Sequence, residues 1–330
     1  MYLLENTLLH GGTYRIIRFI SVFQQAVADE RTEIATKATQ ETPTQPEPEK
    51  PSEPKPKKKR SLLPVLIAAG VIIGVIIGIF ALRDTKSGDD NSVAVTTPSA
   101  NIASEYKDDI EMVYVAGGTF TMGASFDDSE AYDWEKPAHN VTLSSFYIGK
   151  YEVTQKQWVE IMRSNPSDLK GDNLPVENVS WIDIRDFIKK LNARTGKNYR
   201  LPTEAEWEFA ARGGNNSRGY KYSGSNIIEV VAWHTGNSGF KTHPVGTKSP
   251  NELGIYDMSG NVWEWCADWY GDYSSNSQTN PKGPDSGSYR VMRGGSWYNG
   301  AGSSRVSTRY GDSPGLRFSC SGFRLALDAQ

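Results

Sequence analysis

Residues 62–82 read LLPVLIAAGVIIGVIIGIFAL and contain no charged side chain. At 1.5 Å per residue a helix of this length crosses a hydrocarbon core of roughly 30 Å. This run constrains the chain more than any other stretch, because it confines any water-exposed domain to one side or the other. Its length, and its start at residue 62, argue against a cleaved signal peptide. We therefore expect a single transmembrane helix over residues 61–83. The cluster Lys55-Pro56-Lys57-Lys58-Lys59-Arg60 precedes it, whereas the far flank (Arg83, Asp84, Lys86, Asp89, Asp90) is mixed. The positive-inside rule then predicts a single-pass membrane protein with a cytoplasmic N-terminus and an extracytoplasmic C-terminal domain. Gly70, Gly74 and Gly78 recur on one helix face. That spacing suits a homodimer seam, and it equally suits the ordinary glycine content of membrane helices.

The flanking segments cannot form a core. Residues 28–60 are dominated by Thr, Gln, Glu, Pro and Lys, with Pro43, Pro46, Pro48, Pro51, Pro54 and Pro56 closely spaced. Such a segment buries too little apolar surface to offset its ordering entropy, so a disordered, extended linker is expected. Residues 84–110 are small and polar and read as a stalk. Residues 1–27 contain HGGTYRIIRFI, which resembles the first strand of a protein-kinase small lobe. No glycine-rich phosphate loop or catalytic Asp loop follows, so the segment reads as a leader, either a kinase-lobe-like remnant or a short helix, without kinase activity.

Residues 111–330 are left as one globular domain of α+β class with little regular secondary structure. Met112–Val115, Thr119–Gly123, Val141–Leu143 and Phe146–Ile148 read as short strands. Thr154 is placed to cap a helix over Gln155–Met162, and Ser180 one from Trp181 to Ala193, stopped by Gly196. A third short helix starts at Thr203-Glu204 and ends before Gly213-Gly214. Beyond Gly214, turns, loops and short strands are expected. Trp134, Trp158, Trp181, Trp207, Trp263, Trp265 and Trp269 are expected in the core, and Trp297 as the anchor of the last loop. The acidic, aromatic run Asp268–Tyr273 reads as a solvated loop, with the rim of a binding surface as the alternative. The net charge of −3 gives no general nucleic-acid signature. Two cysteines, Cys266 and Cys320, exclude a disulfide framework and leave open whether the two pair.

An ordered set of blocks resembles the formylglycine-generating enzyme (sulfatase-modifying factor) family. They are Gly117–Gly123, Glu135–His139, Tyr151–Thr154, Pro175–Trp181, Arg200–Glu208, Gly254–Trp265, Arg293–Trp297 and Gly322–Arg324. The resemblance implies a variant of the C-type-lectin fold. It also implies, for members that oxidise cysteine, two copper-holding cysteines, the first three residues after the Gly-Gly-Ser block and the second five later. Those positions are Asn299 and Ser304 here. Neither supplies the thiolate that soft copper selects, so no copper is expected. The iron-dependent branch of the superfamily needs clustered histidines, whereas this domain has only His139, His234 and His243. His139 is expected to be a packed structural residue. The resemblance further implies a structural calcium site built from the Asp257 and Glu264 side chains with the Gly260 and Val262 carbonyls, hard oxygen donors suited to that ion. The alternative at this motif is a turn in which Glu264 accepts backbone hydrogen bonds.

Between Tyr298 and Ser321 the chain has no Lys, Glu, Gln, Met or Trp. Outside the framework lie Tyr298, Asn299, Gly300, Ser303, Ser304, Thr308, Tyr310, Gly311, Asp312, Ser313, Gly315, Leu316, Phe318, Ser319, Cys320 and Ser321. Each is reachable from an AAC codon by replacing only adenines, and the five missing residue types are not. This resembles the variable region of diversity-generating-retroelement target proteins; the alternative is a loop that drifted after losing catalysis. Tyr and Phe supply rigid contact area while Ser, Gly and Asn supply adaptable hydrogen bonds. The expected function is a membrane-anchored, non-catalytic display protein binding an extracytoplasmic protein or glycan. The alternative is a formylglycine-generating or related oxidase with unconventional residues.

Overall fold

The computed structural model describes residues 110–125 and 127–329. The expected leader, linker, transmembrane helix with its Gly70, Gly74 and Gly78, and nearly all of the stalk lie outside the described residues. Among the described residues no helix is long and apolar enough to cross a membrane.

Short strands form three small sheets. Strand β1 (Met112–Val115) pairs antiparallel with β4 (Phe146–Gly149), which pairs on its other edge with β10 (Ala326–Asp328). Strand β2 (Gly118–Met122) pairs antiparallel with β3 (His139–Leu143), and β3 runs parallel to β6 (Gln278–Thr279). The third sheet has the order β8 (Arg309–Asp312), β7 (Arg290–Arg293), β5 (Trp263–Trp269), β9 (Ser321–Gly322), with a bulge in β5 between Trp265 and Trp269.

The helices follow the expected caps. Thr154, Ser180 and Thr203 each close a capping box at the start of α1 (Gln155–Met162), α2 (Trp181–Thr195) and α3 (Glu204–Ala211). Helix α2 runs two residues beyond Ala193, because Gly196 takes the left-handed conformation that ends it at φ 71°. A one-turn helix, α4 (Ile228–Val231), adds to the turns and strands expected after Gly214.

Among the described residues three apolar clusters share these elements, the smallest made of Tyr222, Ile228, Val231 and Ala232 around α4. In one, the rings of Trp158 and Phe187 stack at 5.1 Å with Phe323 edge-on to Phe187 at 5.5 Å. Another gathers Phe146, Ile148, Trp207 and Phe209. Trp158, Trp207, Trp263 and Trp265 are buried as expected. Trp181 and Trp269 are half-buried, and they clasp Arg290 between their rings. Trp134 departs from the expectation: it is 50% exposed and stacks on Tyr132 at 4.7 Å, because the short helical turn Asp133–Glu135 turns Glu135 inward and leaves the indole outside. His139 is packed, with Nδ1 3.1 Å from the Pro137 carbonyl and its ring against Tyr273.

Helix α3 is buried on every side although three of its eight residues are glutamates. Its N-terminal amide, from Glu204, donates to Asp268 at 2.9 Å. Burial, followed by repulsion from Glu204, pushes the Asp268 carboxyl up to about 7. The folded domain therefore holds a proton at Asp268 in a range where the unfolded chain has released it. Stability from this group is full at low pH and declines as pH rises from about 4 through about 7. Replacing Asp268 with Asn, which keeps the acceptor, should flatten that decline; urea midpoints measured from pH 4 to pH 8 test it, and equal slopes in the two proteins would count against it.

Candidate functional site

The C-terminal third inserts four arginines into the interior, and each meets a glutamate from elsewhere in the chain. Arg293 pairs with Glu208 on α3. Arg305 forks onto Glu135 at 2.6 and 2.9 Å, where Ser307 also donates at 2.8 Å. Arg309 forks onto Glu204 at 2.7 Å through both nitrogens, with Tyr273 donating to the same carboxylate at 3.0 Å. Arg324 forks onto Glu264 in β5 at 2.6 Å, and the Trp207 indole donates to that carboxylate at 2.7 Å. All eight charged groups are buried. At Glu208, burial is outweighed by Arg212 and Arg293, which hold the carboxyl below its ordinary range. Bidentate geometry of this kind fixes orientation as well as proximity.

On this frame the loops gather around two tryptophans. Trp263 donates through Nε1 to the Asn299 amide oxygen at 2.9 Å, and its ring lies 5.8 Å from that of Tyr310. Its backbone amide donates to the Cys320 carbonyl at 2.8 Å. Trp297 donates through Nε1 to the Ser319 carbonyl at 3.0 Å, which ties the two ends of the Tyr298–Ser321 segment together. Asn178 and Ile182 donate backbone amides to the carbonyls of Phe318 and Pro314. The turn that starts the segment needs glycine: at Gly295, φ is 72° and a Cβ would come within 2.8 Å of both Ser303 O and Ser304 Oγ.

The sequence-derived binding set divides on this geometry. Tyr298 and Gly315 are exposed; Asn299, Gly300, Ser303, Tyr310–Ser313, Leu316 and Phe318–Cys320 are half-buried at the surface. Gly300 has open space where a side chain would stand and at Gly315 a Cβ would only touch Ile182 at 4.0 Å, whereas at Gly311 a Cβ would come within 2.6 Å of the Tyr270 ring. Ser304, Thr308 and Ser321 belong to the frame instead. Ser304 is fully buried and its carbonyl accepts from Ser259; Thr308 bonds Glu135 and the Gly302 carbonyl; Ser321 pairs with Trp263 inside the third sheet. Sequence reasoning also passed over Tyr132, whose hydroxyl lies 3.8 Å from where a Gly302 side chain would begin.

The family model for the sulfatase-modifying factor enzyme 1-like domain matches residues 98–329. The chain belongs to that family. Among curated relatives, chaperone protein LppX of Paenibacillus barcinonensis is 38% identical over 60% of this chain and 82% of its own length. Serine/threonine-protein kinase Pkn1 of Chlamydia trachomatis is 33% identical over 67% of this chain, which spans only 38% of that kinase. Among solved structures, Treponema denticola variable protein 1 is 36% identical, with a TM-score of 0.61, over 66% of this chain and 95% of its own.

Where oxidising members of the family would carry their cysteine pair, this member has an amide and a hydroxyl. The Asn299 oxygen is taken up by Trp263 and by Ser296, whose hydroxyl donates at 2.5 Å. Ser304 Oγ is buried without a hydrogen-bond partner. Cys266 and Cys320 are both free thiols. Burial pushes the Cys320 thiol up to about 11, far from the thiolate form a nucleophile needs.

The Asp257–Glu264 motif forms a tight, buried turn. Gly260 sits at φ 81°, where a Cβ would lie 2.3 Å from the Trp233 carbonyl. Asp257 accepts from the Gly246 amide at 2.7 Å. Val262 donates its amide to Glu152 at 3.1 Å, and Glu152 also accepts from Asn261 at 2.6 Å. Burial, then repulsion from Asp257 and Glu264, drives the Glu152 carboxyl well up. Glu152, Asp257 and Glu264 are thus all buried near one guanidinium, that of Arg324. Among the described residues no three His, Cys, Asp or Glu side chains converge as a complete ligand set, so an ion here would rely on backbone carbonyls.

Breaking one frame pair leaves an uncompensated charge in the interior. Arg305→Met alone should lower unfolding stability by roughly 3–5 kcal/mol in urea titration, and the double variant Arg305→Met, Glu135→Leu should recover at least half of that loss. Equal losses in the two variants would mean that packing, not the buried charge, sets the cost.

Proposed function

We propose that this protein is a non-catalytic display protein whose C-terminal surface, from Tyr298 to Cys320, binds an extracytoplasmic protein or glycan. The observation that carries this reading is the division of labour in the segment. Four buried arginine–glutamate pairs fix the frame, and the surface positions between them carry small, polar and aromatic side chains. Such a surface adapts to a partner by exchanging side chains while the backbone stays in place. Similarity to a variable protein of Treponema denticola supports the same reading. The membrane anchor over residues 61–83, the cytoplasmic N-terminus and a dimer seam through Gly70, Gly74 and Gly78 complete the proposal, and they rest on sequence alone. The alternative, an oxidase acting on cysteine, requires a metal-holding pair that Asn299 and Ser304 do not supply.

With copper and a cysteine-containing sulfatase peptide, the purified protein should leave the peptide mass unchanged; a mass shift to the aldehyde would overturn the non-catalytic reading. In related isolates, substitutions at this locus should concentrate at the surface positions and spare Ser304, Thr308 and Ser321, and an even spread along the domain would remove the diversification claim.

We also propose a structural calcium ion held by the Asp257 and Glu264 side chains with the Gly260 and Val262 carbonyls. Carboxylate and carbonyl oxygens are the hard donors that calcium takes. Calorimetric titration of chelator-stripped protein should show one calcium per chain, with affinity at least tenfold weaker in Asp257→Asn; absence of binding heat together with an unchanged melting temperature would dismiss the ion.

A further inference from the structure

A groove of about 770 Å³ runs between α2, the β3–β4 turn and the segment after β6. None of the sequence-derived binding positions lines it. Its apolar lining includes Trp181, Ile188, Tyr199, Leu201 and Pro281, and its cations are Arg185, Lys189, Arg200 and Lys282. The two carboxylates that line it, Glu206 and Asp328, are both held by Arg200 at 2.7 Å. Arg185, Lys189 and Lys282 form no ion pair among the described residues and are exposed.

A second feature adjoins the groove. Arg290 lies between the rings of Trp181 and Trp269, 3.9 and 3.5 Å from their centroids, and donates to the carbonyl of Ala267, another lining residue. Its Nε is buried without a hydrogen-bond partner. Arg185 approaches the same Trp181 ring at 5.3 Å. Two guanidinium groups therefore crowd one indole, an arrangement that an incoming carboxylate would relieve.

We propose that this groove is a second binding site, for a peptide segment of a partner protein in which acidic and bulky apolar residues alternate. The apolar lining would take the hydrophobic side chains, and Arg185, Lys189 and Lys282 would pair with the carboxylates. None of the groove's lining residues falls between Tyr298 and Ser321, so substitutions in that stretch leave the lining side chains unchanged. The proposal does not depend on the display reading.

The test uses the full chain in detergent and a fluorescein-labelled dodecapeptide of alternating glutamate and leucine, followed by anisotropy. Saturable binding is expected, weakened at least tenfold by Arg185→Glu with Lys189→Glu, and at least tenfold when serine replaces every leucine in the peptide. These two side chains are exposed, so an unchanged melting temperature should confirm that the variant is folded. A lysine–leucine peptide should not bind. No saturation, equal binding of the lysine peptide, or indifference to the charge reversal would overturn the proposal. So would binding of a heparin fragment in place of the acidic peptide, since the site would then read sulfate rather than side chains.

Discussion

Four arginines enter the interior from the last forty residues, and the rest of the domain is arranged to receive them. Glu135 comes from the loop after β2, Glu204 and Glu208 from α3, and Glu264 from the central strand of the third sheet. A buried pair contributes little net stability against a well-packed apolar alternative, but either charge left alone costs several kcal/mol. That asymmetry makes each pair a register pin: the C-terminal segment is satisfied in one threading only. A fold with short strands and few helices needs such pins, because its sheets supply few ladder bonds to fix long connections.

The same pins separate buried from exposed positions between Tyr298 and Ser321. Arg305 and Arg309 bracket Thr308, so Thr308 sits where the frame is densest and its hydroxyl serves Glu135. Tyr298 and Gly315 lie far from any pin in sequence and stand at the surface.

Much of this was legible in the sequence. Capping residues Thr154, Ser180 and Thr203 mark three helices because their oxygens answer local amides, and local chemistry is written locally. The ordered family blocks likewise point to the fold. What escaped was non-local. Three glutamates fall within the eight residues of α3, and nothing near the helix in sequence shows that Arg293 and Arg309 wait for two of them. Ser304 and Ser321 pass for surface serines because a small hydroxyl fits both environments. Trp134 passed for core because its exposure depends on Glu135 turning inward toward an arginine 170 residues later.

Three of the four glycines between Tyr298 and Ser321, at 300, 311 and 315, have unequal prospects. At Gly300 a side chain meets open space and at Gly315 only an ordinary contact with Ile182, but at Gly311 it meets the root of the Tyr270 ring, which also lies against the pinned Arg309. A mutational process blind to structure would write residues into position 311 as readily as into 300. Many of the resulting proteins would be lost to misfolding before any partner was encountered. The usable repertoire of such a locus is therefore smaller than its codons allow, and a single aromatic ring outside the variable stretch helps set its size.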